Sequence, residues 1–300
     1  MIYAPLFIIT AAILWAVDGI ILRPALYSLP VALVVFIEHA LAFLFMIPFL
    51  FLEKHELKKL KASDWGAFII VALLGGALGT MCIVKALFYV HHVNLSIVVL
   101  IQKLQPVFAL ILARVVLKEK LPKKFFYWAI VAVVATYFVT FEGFLPNFAT
   151  GEKTIYAALF ALGAAFSWGS STVFSKKALE KVSFRVGTYL RFGLTTFLMF
   201  FITAAFRDFS KISDVTSHQL LIFLIIVFSS GGLAMFLYYY GLKKVKASVS
   251  TICELAFPLS AIVLEFLIHG LMLSWSQWIG ALVLLLAIYK VSLMPKKADF

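Results

Sequence analysis

Eight ionisable side chains stand inside otherwise apolar stretches of this sequence: Asp18, Glu38, His39, Lys85, Lys103, Arg191, Glu254 and Glu265. A charge at the centre of a membrane-spanning helix costs about 2.5–3.5 kcal/mol on insertion scales. Each of these residues therefore implies a partner, a cavity or a place near the interface. Trp15 and Asp18 are three apart and share a helix face, and Trp168 and Ser171 repeat that arrangement later in the chain. Both tryptophans sit well inside their stretches and read as cavity walls. Asp18 reads either as cavity lining, where it would meet a positively charged substrate group or carry a coupled proton, or as a packing residue bonded to backbone. Pro106 and Pro258 stand four residues after Gln102 and Glu254. A mid-helix proline frees the carbonyl four residues earlier, so each predicted kink gathers a bare carbonyl and a polar side chain, suited to a cavity wall. Glu38 with Lys103 and Arg191 with Glu254 are the expected ion pairs, as gates or as structural contacts. Tyr189 and the run Tyr238 to Tyr240 join the tryptophans as aromatic candidates, a set that could form a cation–π box with Asp18 or Glu38 as counter-ion. His39 reads as a hydrogen-bonded packing residue or a proton-responsive group. The adjacent His91 and His92 are too few for a metal site. No HExxH, GxSxG or phosphate-loop motif is present, so no catalytic residue, metal or cofactor is expected.

Whatever positions these residues is apolar. The 300-residue chain is 64% hydrophobic and 13% charged, against about 25% charged in a soluble domain. The apolar runs, at 4–27, 31–52, 66–89, 95–116, 125–144, 155–178, 184–206, 219–242, 248–269 and 275–294, match the roughly 20 residues a spanning helix needs. They are too long and too continuous for barrel strands. The first run lacks a basic segment before it and reads as a retained helix. Of the basic residues between runs or near their ends, 19 fall in one alternate set of segments, among them Lys59, Lys120 and Lys297, and only Arg23, Lys85, Lys153, Arg207 and Lys211 in the other. That bias places both termini in the cytoplasm. The net charge of +12 then orients helices and does not signal nucleic acid. Cys82 and Cys253 lie within apolar runs and read as helix residues, not as a disulfide.

The chain also repeats itself. LWAVDGIILRPAL at 14–26 aligns with SWGSSTVFSKKAL at 167–179, superposing Trp15 on Trp168, Arg23 on Lys176 and, further on, Glu38 on Arg191. LQPVFALIL at 104–112 aligns with AFPLSAIVL at 256–264. Each half, 1–148 and 149–300, holds five helices. Because five is odd, the second half enters the membrane from the opposite side. The expected fold is thus an all-α polytopic membrane protein with ten transmembrane helices in an inverted 5+5 repeat, the architecture of alternating-access carriers.

FSWGSSTVFSKKAL at 166–179, LQPVFALILARVVLKEKL at 104–121 and SQWIGALVLLLAIY at 276–289 together resemble the EamA-type branch of the drug/metabolite transporter superfamily. The first resembles the family's W-G-small opening of a repeat, the second its Pro-containing fourth helix ending in Glu119, the third its closing helix with Gly280 near the start. The first repeat has WAVDG where the pattern favours W-G, and the second has His269-Gly270-Leu271 in place of a counterpart to Glu119. The resemblance implies a secondary transporter in a prokaryotic inner membrane. Its substrate would be a small polar metabolite such as an amino acid or amine, moved outward, with proton or ion coupling open. Uptake or exchange of a quaternary amine is the alternative. A channel or an intramembrane enzyme is more remote.

Overall fold

The computed structural model describes residues 3–88, 101–140, 153–270 and 274–294. In chain order its helices are α1 (Ala4–Leu26), α2 (Val31–Leu52), α3 (Ala62–Ala86), α4 (Gln105–Val116), α5 (Lys123–Thr140), α6 (Lys153–Ala178), α7 (Phe184–Ala205), α8 (Ser217–Lys244), α9 (Ala247–Ile268) and α10 (Trp275–Ser292). Among the described residues there is no strand, and eight helices, all but α4 and α5, are long and apolar enough to cross a membrane. The all-α polytopic class expected from composition is the one found. His91 and His92 lie outside the described residues, as does the start of the run expected at 95–116.

The outward faces carry large apolar side chains such as Phe51, Leu52, Phe197, Leu267 and Leu282, each more than half exposed. Water would not tolerate that much contiguous apolar surface, but lipid covers it. The inward faces are dominated by alanine and glycine, and small residues let helices approach closely where lipid offers no hydrophobic drive. A β-carbon on Gly75 would lie 2.1 Å from Ser171 Oγ, and one on Gly76 2.2 Å from Thr195 Oγ1. These two glycines are what allow α3 to press against α6 and α7.

The packing partners have an internal symmetry. α1 packs on α8 as α6 packs on α3, and α1 packs on α9 as α6 packs on α4. The pairs α2–α7 and α5–α10 are their own counterparts. Exchanging each helix with the one five later thus maps the contacts onto one another, as an internal two-fold requires.

Three helices contain π turns, at Asp18–Leu22 in α1, Val71–Leu78 in α3 and Val227–Gly231 in α8. The last two overlap at the repeat offset, but α6 has no counterpart to the first. The prolines break their helices instead of kinking them. Pro106 stands in the first turn of α4 after a turn at Lys103–Leu104, and α9 is interrupted at Glu254–Leu255 just before Pro258. The expected bare carbonyl at Glu254 is not bare, because the Phe257 amide donates to it at 3.0 Å. Tightening to a three-residue turn lets the chain satisfy the carbonyl that proline leaves unpaired.

Candidate functional site

The bundle encloses a cavity of about 1020 Å³. Its wall runs from Trp15, Arg191 and Tyr238 in mid-bundle to Tyr27, Val139 and Gln277 at the end where α1 gives way to α2. The opposite end, where α1 begins and α10 ends, is tied shut between the two halves. There the Glu119 carboxylate accepts from the amides of Ala247 (2.7 Å) and Ser248 (3.3 Å) at the start of α9 and from the Ser248 hydroxyl. Glu56 accepts from the Ser183 amide at 2.6 Å, and Arg185 pairs with Glu53 at 2.7 Å. Carboxylates at helix N-termini meet unpaired amides and the positive end of the helix dipole.

Of the residues singled out from sequence, Trp15, Asp18, Glu38, His39, Gln102, Lys103, Pro106, Trp168, Ser171, Arg191, Glu254 and Pro258 line the cavity, as does Tyr238, whereas Lys85 is exposed. Tyr189 and Tyr240 do not line it. Tyr189 packs on Phe236, and Tyr240 lies between Phe7 and Phe184 with the Lys244 ammonium 3.4 Å above its ring. The helical period explains both. Tyr189 is two residues from Arg191 and Tyr240 two from Tyr238, which turns each to about the opposite face.

The expected ion pairs are not the ones formed. Arg23 reaches back over Asp18, with its Nε and Nη2 donating to Oδ2 at 3.1 and 2.5 Å, and holds Glu38 at 3.1 Å through Nη1. Residues five apart lie well apart around an α-helix, but the π turn closes i→i+5 and brings them onto one face. The Arg23 amide bonds to the Asp18 carbonyl in that register. In the sequence Arg23 falls among the residues between runs, since no α-helical spacing links it to Asp18.

Lys103 therefore has no carboxylate among the described residues. Its ammonium donates to Gln102 Oε1 at 3.3 Å and sits 4.3 Å above the Phe257 ring, a cation–π contact. Arg191 and Glu254 also do not pair. Arg191 donates through Nη1 to Ser171 Oγ (3.2 Å) and to the Tyr239 hydroxyl (3.4 Å). Glu254 accepts from Gln105 Nε2 at 2.7 Å, the Tyr238 hydroxyl at 2.9 Å and Ser250 Oγ at 3.1 Å. Since Tyr238 gives its one proton to Glu254, the Thr172 hydroxyl 2.9 Å away must donate to it. Glu254 thus sits among neutral donors that span both halves, because Gln105 starts α4. His39 donates through Nδ1 to the Val35 carbonyl at 2.8 Å and leans on Phe192, so it is hydrogen-bonded packing with one edge on the cavity.

Sequence reasoning misses Arg23, Gln105, Thr172 and Ser230 as wall residues. Of the tyrosine run singled out at 238–240, Tyr238 is the one on the wall. The aromatic contribution is concentrated in Trp15, 5.3 Å from Tyr238 between ring centres, with Trp168 and Phe257 on other walls. The cavity thus combines flat aromatic surfaces, an ionic cluster of Arg23 with Asp18 and Glu38, and a carboxyl held by neutral hydrogen bonds.

Comparisons with known proteins complete the picture. The family model for EamA-like transporters matches residues 2–141 and 155–293, two consecutive copies. The riboflavin transporter ImpX of Fusobacterium nucleatum subsp. nucleatum is 45% identical over 288 residues, 96% of either chain. An uncharacterized transporter of Synechocystis sp., sll1164, is 28% identical over 244 residues, 78% of this chain and 67% of that one. A solved crystal structure superposes with a TM-score of 0.74 over 97% of this chain and 96% of the other at 16% identity, a likeness of fold alone.

Proposed function

The chain belongs to the EamA-like transporter family, and on that premise we propose that it is a secondary transporter of riboflavin or a close flavin analogue. The observation that carries the reading is the 45% identity to a protein named for riboflavin transport, extending over nearly all of both chains. The cavity supports it. At about 1020 Å³ it stands at the upper end of small-molecule pockets, roughly 300–1,000 Å³, and so has room for a fused three-ring system with a polar chain. Trp15, Trp168, Tyr238 and Phe257 offer flat faces to such a ring. A free amino acid would fill little of it, and the carboxylates that would hold an ammonium, Asp18 and Glu38, already share Arg23. The amine and amino-acid substrates expected from sequence are the less favoured reading for that reason.

Transport proceeds by exchange between the two halves, 1–148 and 149–300, related as inverted repeats. With both termini in the cytoplasm, as the basic bias favours, the cavity faces outward and its ties at Glu119, Glu56 and Glu53 close the inner side. Alternating access then requires those ties to open as the outer mouth shuts.

The test is flavin binding to the purified protein, read as quenching of flavin fluorescence on stacking, followed by flux into liposomes in both directions. Saturable binding and counterflow of riboflavin are expected. If no flavin is carried while an amine or amino acid is, the substrate assignment is wrong and the family assignment stands.

A further inference from the structure

The cluster of Asp18, Arg23 and Glu38 is incomplete as built. Asp18 is 8% exposed and Glu38 7%, yet Asp18 Oδ1 has no hydrogen-bond donor among the described residues. Glu38 Oε1 lies 3.1 Å from Arg23 Nη1 but off the line of its N–H bonds, so it too has no donor there. The Ser230 hydroxyl, 3% exposed, is likewise unpartnered. It belongs to the π turn of α8, which packs on both α1 and α2, the helices that carry the two carboxylates. All three residues line the cavity, and along their helices Asp18 lies nearer the mouth than Trp15, and Ser230 nearer than Tyr238. Buried acceptors without donors are uncommon in folded proteins and costly, and here all three belong to residues of the cavity wall.

The geometry points to a polyol subsite, in which adjacent hydroxyls of a flexible chain donate to Asp18 Oδ1 and Glu38 Oε1 and exchange a bond with Ser230. The vacant acceptors sit on different helices, so they call for donors spread along a chain, not for several on one atom. Arg23 lies between them, and its positive charge repels an ammonium but not a hydroxyl, which it can meet as a donor. The order along the cavity follows: the aromatic faces of Trp15 and Tyr238 are deeper and the hydroxyl-binding cluster is nearer the mouth. This inference rests on the flavin reading, and it assigns the ribityl chain of riboflavin to the cluster and the ring system to the aromatic floor.

The experiment compares riboflavin with lumiflavin, which has the same ring system with a methyl group in place of the ribityl chain, by fluorescence quenching on the full-length protein. Hydrogen bonds to buried charged groups predict that the wild type binds riboflavin at least roughly tenfold more tightly than lumiflavin. Glu38→Gln should abolish most of that preference. Ser230→Ala leaves the ion cluster intact and guards against a misfolded first variant; it should reduce the preference while lumiflavin binding stays put. Equal affinity of the wild type for both flavins overturns the subsite and leaves the flavin reading standing, as does an equal loss for both in Ser230→Ala. Failure of both flavins to bind overturns the flavin reading itself, and the subsite with it. Displacement of riboflavin by ethylamine but not by ribitol also counts against the subsite.

Discussion

Arg23 and Lys176 occupy the same place in the two repeats, and they do opposite things. Arg23 folds back into the cavity and binds Asp18 and Glu38. Lys176 points to the tied end, where its ammonium donates to the carbonyls of Leu242 (2.8 Å) and Lys243 (2.9 Å) at the end of α8. The difference is one turn of backbone. α1 winds into a π turn at Asp18 and then into a short 3-10 turn opened by Arg23 and Pro24, whereas α6 runs as regular helix through Ala178. The partners diverge in step: Asp18 is answered by Ser171, and Glu38 by Arg191, which is held by neutral oxygens. An internally duplicated frame thus carries an ion-paired site near the mouth in one half and, at the repeat-equivalent place in the other, a guanidinium held by neutral oxygens.

If that contrast holds, breaking the ionic side should be far more damaging than breaking the neutral side. Arg23→Ala leaves two carboxylates buried together without a cation. Stranding buried charge in this way costs about 3–5 kcal/mol, so thermal unfolding in detergent should show a larger loss than any of the other single substitutions below. Arg23→Lys should recover part of it, since a point charge can neutralise the pair but cannot fork onto Asp18 Oδ2.

The next effect comes from packing. Gly75→Ala places a β-carbon 2.1 Å from Ser171 Oγ and 2.9 Å from Arg191 Nη1. Overpacking of this kind costs about 1–3 kcal/mol, and it should separate Ser171 from Arg191 without touching the ionic cluster across the cavity. Loss of stability with unaltered behaviour of Arg23 variants in the Gly75→Ala background would establish the two sites as independent.

Smaller again is Glu119→Gln. The amide still accepts from Ala247 but removes the negative charge from the start of α9, a loss of about 1 kcal/mol by capping and dipole estimates. Since this tie closes the end opposite the mouth, the same variant should favour the alternative conformation. Faster flavin exit from preloaded liposomes that hold the protein in one orientation would register it, and an unchanged rate would show that the tie is purely structural.

These differences bear on how far a sequence can speak for a site. The class of fold is legible because span length and composition are set by bilayer thickness, and the duplication because Trp15/Trp168 and Pro106/Pro258 keep their spacing. Most charged wall residues are legible, Arg23 excepted, because a buried charge in an apolar helix has few places to go. The pairing is not. Asp18 finds Arg23 only through i→i+5 geometry, which no α-helical pattern encodes, and once Arg23 is taken up, Lys103 is left to Gln102 and the Phe257 ring. Glu254 likewise turns from Arg191 to Gln105, because the break at Glu254–Leu255 redirects the side chain across the interface of the halves. Tyr189 and Tyr240 qualify by residue type, and helical phase alone takes them off the wall.

The smallest expected change in stability is at Arg191. Arg191 is 8% exposed, and its guanidinium donates to Ser171 and the Tyr239 hydroxyl and lies over the Tyr239 ring, with the charge centre 5.9 Å from the ring centre. A buried charge without a carboxylate bears its desolvation cost alone, and replacing buried ionic groups by apolar ones of like volume is often neutral or stabilising. Removing it orphans little, because the Tyr239 hydroxyl keeps Ser175 at 2.8 Å. Arg191→Met should therefore melt within about 1 kcal/mol of the wild type, or above it, while flavin affinity falls, since the residue faces the cavity. The double swap of Arg191→Glu with Glu254→Arg should restore nothing over either single variant, as the two side chains serve separate networks. A destabilisation of Arg191→Met as large as that of Arg23→Ala would mean that the second repeat holds an ionic site equal to the first, and the contrast between the halves would fall.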